Sequence, residues 1–141
     1  MSSIADCKLL TLPAVQTPAG ATVSVDGGRD IPFEIARVYY LYEVPRGEVR
    51  GSHAHKALQQ LIVAAAGSFD IVLNDGNNRK TVPLNRPDVG LYVPRMIWRE
   101  LRNFSEASVC LVLASLPYSA SDYIRDFDEF LRLRMPANDG V

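Results

Sequence analysis

The chain has 141 residues, long enough for one compact domain with a buried core. It carries 15 basic and 16 acidic residues, so its formal net charge is −1. Proteins that bind nucleic acid or an anionic membrane through charge have a basic surplus, so this balance argues against both classes of partner.

Short strands dominate the predicted structure, because Tyr, Val, Ile and Leu come in runs that Gly, Pro, Asn and Asp interrupt. In chain order, strands are predicted at 9–15, 21–25, 35–44, 59–65, 68–73, 80–84, 90–93, 97–103 and 108–115. Residues 74–78, Asn-Asp-Gly-Asn-Asn, predict a hairpin turn, since these residue types tolerate the positive φ that such turns require. No long helical period separates the strands, so the pattern favours a β-sandwich or a short wide barrel over β-α-β units.

The C-terminal part of the chain predicts one amphipathic helix. Residues 119–122, Ser-Ala-Ser-Asp, supply N-cap residue types, and apolar side chains then recur at steps of three and four. These side chains are Tyr123, Phe127, Phe130 and Leu131. We therefore expect a single domain over residues 1–135, followed by a frayed polar tail at 136–141.

The sequence predicts neither a signal peptide nor a membrane span. Asp6 and Lys8 lie where a signal peptide would be apolar, and the longest apolar stretch, 61–66, is far shorter than the ~20 residues of a span. The two cysteines, Cys7 and Cys110, are too few for a disulfide scaffold and lack C-x-x-C spacing. A cytoplasmic protein is therefore expected, with Cys110 filling the core.

The chain has 2 histidines, and they lie one residue apart, as His53 and His55. Residues two apart on a strand share a face, so the two imidazoles would project side by side. Neutral imidazoles at such a place could bind a metal ion, and titrating ones could move protons near pH 7. Two polar residues on a solvated edge are the structural alternative.

The histidine spacing resembles that of the cupins, which are double-stranded β-helix barrels. Their first motif carries Gly, H-x-H and Glu, and their second carries Gly, Pro, His and Asn. This chain keeps Gly90, Pro94 and Asn103, but Gln59 falls where the cupin glutamate lies and Arg99 where the third histidine lies. Two imidazoles, a neutral amide and a guanidinium make a poor divalent-metal site, so neither a metal nor another cofactor is expected.

A narrower resemblance rests on collinear segments in both halves of the chain. They are IPFEI at 31–35, RVYYLY at 37–42, RGSHAHK at 50–56, VLNDG at 72–76, VGLYVP at 89–94, IW at 97–98, VLAS at 112–115 and DYIR at 122–125. Together they resemble the metal-independent sugar-nucleotide 3,4-ketoisomerases, the WxcM-like cupins, over roughly residues 8–131. The resemblance implies an all-β cupin double-stranded β-helix, or jelly-roll barrel, with one short C-terminal α-helix.

This resemblance also implies an isomerase that moves the ketone of dTDP-4-keto-6-deoxy-D-glucose from C4 to C3. The C4 ketone acidifies the C3 proton, so a modest base can remove it, and an enediol is then reprotonated at C4. An imidazole with a pKa near the working pH can serve as both base and acid, with no metal or redox cofactor. A 3,5-epimerase-type cupin and a cupin that only binds a nucleotide sugar remain as alternatives.

The same resemblance implies a homodimer and a place in the biosynthesis of a 3-amino-3,6-dideoxy sugar for a surface polysaccharide or a glycosylated metabolite. A PLP-dependent 3-aminotransferase would then be the neighbouring enzyme. The C4 configuration of the product, gluco or galacto, stays open at this point, because it depends on which face of the enediol is protonated.

The catalytic residues that the resemblance implies are the histidines and a tyrosine. His55 is the first choice as the proton-transferring base, with His53 orienting it or hydrogen-bonding the sugar, although spacing alone leaves the two roles exchangeable. Tyr40, with Tyr42 as second choice, is expected to hydrogen-bond the sugar and to shuttle a proton. Aromatic core is the alternative role for both tyrosines.

The substrate-binding residues that it implies are three arginines and the tryptophan. Arg50, Arg46 and Arg99 are candidates for contacts with the substrate, since arginine matches phosphate geometry with paired donors. A salt bridge at the barrel mouth is the alternative for Arg99. Trp98 is expected either to stack on the thymine or to lie in the core.

Overall fold

Residues 2–135 are described by the computed structural model, so the predicted frayed tail at 136–141 lies outside the described residues. The strands are β1 (Lys8–Thr11), β2 (Ala14–Thr17), β3 (Gly20–Val23), β4 (Arg37–Tyr42), β5 (Arg50–His55), β6 (Gln60–Ala66), β7 (Phe69–Asn74), β8 (Arg79–Leu84), β9 (Val89–Val93), β10 (Trp98–Arg102), β11 (Val109–Ala114) and β12 (Tyr123–Ile124). Helix α1 (Phe127–Arg134) follows them. Two 3-10 turns, Ile4–Asp6 and Ala120–Asp122, complete the elements.

Two five-stranded antiparallel sheets form the barrel. One has the strand order β1-β9-β6-β11-β4, and the other has the order β12-β5-β10-β7-β8. Strands β2 and β3 form a separate hairpin. The expected all-β jelly-roll barrel with one short C-terminal helix is therefore confirmed, because the short strands pair across the chain and no helix joins them.

The core lies between the two sheets. Alternate residues of β6, β9 and β11 face it from one side, and residues of β7, β8 and β10 face it from the other. Ile62, Leu91 and Val112 belong to the first set, and Ile71 and Leu101 to the second. Cys110 is fully buried in this core, as its apolar neighbours predict.

Helix α1 covers the outer face of β5, β10 and β12. Its Phe130 is fully buried against Ala54, Trp98 and Ile124, which point outward from those strands. The alternate residues of these strands, which include both histidines, therefore point to the inner face. Within residues 2–135, no helix has the length and apolar character needed to cross a bilayer.

The structure corrects the predicted start of the helix. Residues Ala120–Asp122 form a 3-10 turn, Tyr123 and Ile124 pair with β5 as strand β12, and the helix begins at Phe127 after the N-cap Asp126. The apolar spacing was compatible with a longer helix, but β-pairing satisfies the backbone of β12 and places Tyr123 beside the histidines. The predicted strand 9–15 is likewise two strands, since β1 pairs with β9 and β2 with β3.

Candidate active site

A cavity of about 280 Å³ opens at the inner face of strands β4, β5, β10 and β12. Its walls are formed by Arg37, Tyr39, Leu41, Arg50, Gly51, His53, Arg99, Tyr123 and Arg125. No carboxylate stands among these lining residues, whereas four of them are arginines. The cavity is therefore strongly cationic, with one imidazole on its wall.

The two histidines lie side by side within the barrel, as the strand spacing predicts. Their Nε2 atoms are 3.1 Å apart, and the two rings are nearly perpendicular, at 89°. His53 lines the cavity, whereas His55 lies behind it with only 2% of its surface exposed. Both rings contact the ring of Tyr123, with centroid distances of 4.8 and 4.4 Å.

Asp122 holds the deeper histidine in place. Its Oδ2 lies 2.9 Å from Nδ1 of His55, and its two oxygens also accept hydrogen bonds from the backbone N–H groups of Ala57 and Leu58. Sequence reasoning assigned Asp122 to a helix cap and missed this contact, which joins residues 67 positions apart. Its place in the collinear segment at 122–125 was the one sequence signal that pointed to it.

Arg99 is buried at the centre of the site, with 1% of its surface exposed. It lies opposite His53 in the pairing of β10 with β5. Its guanidinium donates hydrogen bonds to the carbonyl of Gly51 (2.9 Å), the hydroxyl of Tyr39 (2.9 Å) and Oε1 of Gln60 (3.1 Å). These contacts hold a permanent positive charge beside the imidazole pair.

Burial and this arginine keep both histidines neutral. Burial, followed by repulsion from Arg99, lowers the pKa of His53 from 6.5 to about 2. The same two causes lower the pKa of His55 to about 4, although its hydrogen bond to Asp122 acts in the opposite direction. The expectation of an imidazole pKa near the working pH is therefore wrong for the protein without its substrate, because that expectation took no account of the neighbouring cation.

Tyr39, rather than Tyr40, lines the cavity. Residues of β4 alternate, so Tyr39 faces the cavity and binds Arg99, whereas Tyr40 and Tyr42 are each 60% exposed on the outer face. The structure thus contradicts the placement of Tyr40 and Tyr42 in the site of the same chain. A shift of one position along a strand moves a side chain to the opposite face.

Two of the expected substrate contacts lie elsewhere. Arg46 lines a different cavity, formed by the loops at 43–46 and 104–107. Trp98 is 5% exposed, packs against Phe127 and Phe130, and donates from Nε1 to Oε2 of Glu100 at 3.1 Å. It faces away from the cavity because its neighbour Arg99 faces into it, so the core alternative holds for Trp98.

Two arginines that the sequence did not single out line the cavity beside the expected Arg50 and Arg99. The guanidinium of Arg37 lies 4.5 Å from the ring centroid of Tyr39 and donates to the hydroxyl of Tyr123 at 3.2 Å. The guanidinium of Arg125 lies 4.2 Å from the ring centroid of Tyr123. Aromatic rings therefore hold both side chains without neutralising them. None of the ion pairs within residues 2–135 involves any of the four cavity arginines.

The donor set at the histidines does not suit a divalent metal ion. Gln60, not Gln59, is the glutamine inside the barrel, where it accepts a hydrogen bond from Arg99. Gln59 instead accepts a hydrogen bond from the hydroxyl of Tyr92 at 2.6 Å. A guanidinium beside the imidazoles repels a cation and has no lone pair to coordinate one. No group of three metal-ligating side chains was found among the residues that the structure describes.

Two facing antiparallel sheets with a histidine pair on the inner wall define a cupin-type barrel. The family model for the WxcM-like, C-terminal domain (FdtA) matches residues 5–135. The chain belongs to this WxcM-like family.

Comparisons with individual proteins agree with this assignment. TDP-4-oxo-6-deoxy-alpha-D-glucose-3,4-oxoisomerase of Aneurinibacillus thermoaerophilus is 41% identical over 123 residues, which cover 87% of this chain and 88% of that protein. A 3,4-ketoisomerase from Helicobacter canadensis superposes with a TM-score of 0.89 at 46% identity, covering 92% of this chain and 97% of the other. A variant of the QdtA 3,4-ketoisomerase from Thermoanaerobacterium thermosaccharolyticum, solved with TDP-4-keto-6-deoxyglucose, has a TM-score of 0.89 at 37% identity over 92% and 94% of the two chains.

Proposed function

We propose that this protein is a sugar-nucleotide 3,4-ketoisomerase that converts dTDP-4-keto-6-deoxy-D-glucose into its 3-keto isomer by acid–base proton transfer. The observation that carries the proposal is the buried, neutral His53 on the wall of a cavity ringed by arginines. A neutral imidazole can accept a proton from carbon, and the arginines suit a diphosphate. The relatives named as 3,4-oxoisomerases and 3,4-ketoisomerases support the same reaction.

His53 is the base in this proposal, which exchanges the roles first expected for the two histidines. His53 lines the cavity, whereas His55 lies behind it and has both ring nitrogens within hydrogen-bond distance of protein atoms. A base must come within hydrogen-bond reach of the proton that it removes. His55 would therefore support His53 rather than touch the sugar.

The reaction needs proton transfers at C3, C4 and their two oxygens, and no change of overall oxidation state. The imidazole of His53 takes the proton from C3, and the electron pair of that C–H bond forms the C3–C4 double bond of an enediolate. The C4 oxygen takes the resulting negative charge and then a proton. A proton delivered to C4 and loss of the C3 hydroxyl proton complete the shift of the ketone to C3.

Arg99 and Tyr39 would stabilise the enediolate. Arg99 donates to the hydroxyl of Tyr39 at 2.9 Å, and both side chains line the same cavity as His53. A buried cation and a polarised phenol near the reacting carbons lower the energy of a developing oxyanion without rearrangement of solvent. This role replaces the one that the sequence assigned to Tyr40.

The diphosphate would bind Arg37, Arg50 and Arg125 at the rim of the cavity. Repulsion from Arg99 and Arg125 contributes to the low pKa of His53, and repulsion from Arg99 and Arg37 to that of His55. A bound diphosphate would offset these charges and raise both histidine pKa values. The base would thus become stronger when the substrate is present.

We also propose that the protein works as a homodimer in the cytoplasm, next to a PLP-dependent 3-aminotransferase that consumes its product. The outer face of edge strand β4 supports the dimer, because Val38, Tyr40 and Tyr42 are 53%, 60% and 60% exposed there. Elution as a monomer in size-exclusion chromatography would contradict the dimer.

The function is tested by following dTDP-4-keto-6-deoxy-D-glucose by NMR in D2O, with a chelator and without added metal. We expect formation of the 3-keto isomer with deuterium incorporated at C4, and its conversion to the 3-amino sugar when a 3-aminotransferase and PLP are added. Deuterium at C5 would indicate a 3,5-epimerase, and the absence of both isomer and exchange would indicate a binding protein. Loss of turnover on chelation would contradict metal-independent chemistry.

The assignment of the base has its own variants. His53→Asn is expected to abolish turnover while circular dichroism shows a retained fold, whereas His55→Asn should keep residual activity. The opposite ranking of the two variants would assign the base to His55. The C4 configuration of the product can be read from the H4–H5 coupling constant of product formed in H2O, where C4 carries a proton.

A further inference from the structure

The carboxylate of Asp122 is held rigidly against the histidine pair. Its Oδ1 accepts from the N–H of Ala57 at 2.8 Å, and its Oδ2 accepts from the N–H of Leu58 at 3.3 Å and lies 2.9 Å from Nδ1 of His55. The backbone carbonyl of Asp122 also accepts from the N–H of Lys56 at 2.9 Å. The side chain is 12% exposed, so neighbouring groups rather than solvent determine its position.

These contacts determine where the hydrogens of the two imidazoles lie. A carboxylate can only accept a hydrogen bond, so His55 must carry its hydrogen on Nδ1. Neutral His55 then has a bare Nε2, and this atom is 3.1 Å from Nε2 of His53. Two bare nitrogens at that distance would repel each other, so His53 carries its hydrogen on Nε2 and donates to His55. The ring nitrogen of His53 that remains without hydrogen is Nδ1.

We propose that Asp122 is a positioning residue that acts through His55 to set the hydrogen pattern of both imidazoles and leaves Nδ1 of His53 as the basic nitrogen. The inference rests on the proposed role of His53 as the base. Asp122 itself does not line the cavity and would touch no reacting atom. The neutral state of both rings, which burial and Arg99 enforce, is the condition for this pattern.

Replacement by asparagine tests the pattern because it exchanges one acceptor for a donor. The N–H of Ala57, at 2.8 Å, requires an oxygen, so the carbonyl of the asparagine would take the Oδ1 position. Its NH2 group would then face Nδ1 of His55, which must give up its hydrogen. The hydrogen of His55 moves to Nε2 and is donated to Nε2 of His53, so the hydrogen of His53 moves to Nδ1. No nitrogen of His53 is then left free to accept a proton.

The experiment is nitrogen-15 NMR of the imidazole rings in the folded protein without substrate, for the unaltered chain, Asp122→Asn and Asp126→Asn. The chain has 2 histidines, so every imidazole signal belongs to this pair. The signals are assigned through correlations to the backbone of each residue. Asp126 is the matched control, since it caps α1 by accepting from the N–H of Asp128 at 3.0 Å.

We expect hydrogen on Nδ1 of His55 and on Nε2 of His53 in the unaltered chain and in Asp126→Asn, and the reverse pattern in Asp122→Asn. We further expect Asp122→Asn to lower kcat by at least about 100-fold with KM changed less than about threefold, as the wrong tautomer does in other aspartate–histidine pairs. Hydrogen on Nε2 of His55 in the unaltered chain would overturn the proposal, whether or not the variant folds. An unchanged pattern in folded Asp122→Asn would also overturn it.

The NMR result does not depend on turnover. If the isomerase assay failed while the predicted hydrogen pattern was found, the proposed substrate would be wrong and the positioning role of Asp122 would stand.

Discussion

Arg99 and His53 extend from paired positions of β10 and β5 into the same cavity. The guanidinium is almost fully buried and carries a permanent charge, and its repulsion is the second cause, after burial, of the low pKa of His53. The pair therefore combines a base that is neutral at any pH near 7 with a cation for the charge that develops on the sugar oxygen. A metal ion would supply the same positive charge in a site whose ligands suited one.

Gly51 is expected to be indispensable because Arg99 occupies the space of its missing side chain. A Cβ at Gly51 would overlap Nη1 of Arg99, and the residue has a φ of +65°. Gly51→Ala should displace the guanidinium, lower the free energy of unfolding by more than the ~1 kcal/mol that a left-handed alanine costs, and reduce turnover. Urea denaturation and the isomerase assay measure the two effects.

Gly47→Ala is the matched control for this prediction. Gly47 has a φ of +89°, and a Cβ there would meet no atom within 4 Å. It should therefore show the backbone cost alone, with turnover unchanged. Equal losses of stability and activity in the two variants would contradict the clash with Arg99.

Tyr39→Phe is expected to lower kcat by about 10-fold, because it removes the hydroxyl that accepts from Arg99 at 2.9 Å. A hydrogen bond to a charged group contributes about 1.5 kcal/mol or more, which corresponds to that factor. Tyr40→Phe should leave kcat unchanged, since Tyr40 lies on the outer face of β4. Steady-state kinetics that ranked the two variants the other way would restore Tyr40 to the site.

Arg37→Gln and Arg125→Gln are each expected to weaken the binding of TDP by about 10-fold, since each removes a cavity cation that could form a charge-assisted hydrogen bond to phosphate. The affinity of the unaltered protein should also fall with rising salt, because both guanidiniums lie at the cavity wall. Calorimetric titration with TDP measures both effects.

Arg46→Gln serves as the control for these two variants, because Arg46 lines a different cavity. It should bind TDP as tightly as the unaltered protein. Weaker binding of TDP by Arg46→Gln than by Arg37→Gln would assign the diphosphate site to the cavity that Arg46 lines.

The stability of the protein is expected to rise between pH 4 and pH 6.5 through the histidine pair. The native pKa values of His53 and His55 are lowered to about 2 and about 4, so between pH 4 and 6.5 the unfolded chain binds protons that the native chain does not. At pH 5 the free energy of unfolding is therefore lower than above pH 6.5 by up to about 2 kcal/mol per histidine. Burial and Arg99 lower both pKa values. His55 and Arg125 further lower that of His53, Arg37 further lowers that of His55, and Asp122 opposes the shift of His55 alone.

Urea denaturation at several pH values, compared with the His53→Asn/His55→Asn double variant, isolates this contribution. The double variant should show a flatter stability profile over the same range. Parallel profiles for the two proteins would mean that the histidines titrate equally in the native and unfolded states.

Local sequence predicted most of the strands and one feature of the site. Runs of Val, Ile, Leu and Tyr between turn residues place most strands within a few positions of those observed, since these preferences act over neighbouring residues. The common face of His53 and His55 follows from the period of a strand alone. The collinear motifs identified the family and, with it, the barrel.

The errors all concern partners that are distant in the chain or the choice of face. The period of β4 groups Tyr40 with Tyr42 and Tyr39 with Arg37, but it does not say which set faces the barrel. Pairing with β11 and the packing of that sheet decide it. The same choice of face places Gln60 and Arg99 inside the barrel and turns their neighbours Gln59 and Trp98 to the other side.

The sequence by itself determined that this protein has one histidine pair, on one face of one strand, and too few metal ligands beside it for a cupin metal site. Only the tertiary structure decided which histidine meets the cavity, which arginines surround it and that Asp122 stands behind it. The reason is physical: the first set of facts depends on the spacing of neighbouring residues. The second depends on strands β10 and β12, which pair with β5 from distant parts of the chain, and on which face of β4 meets the cavity.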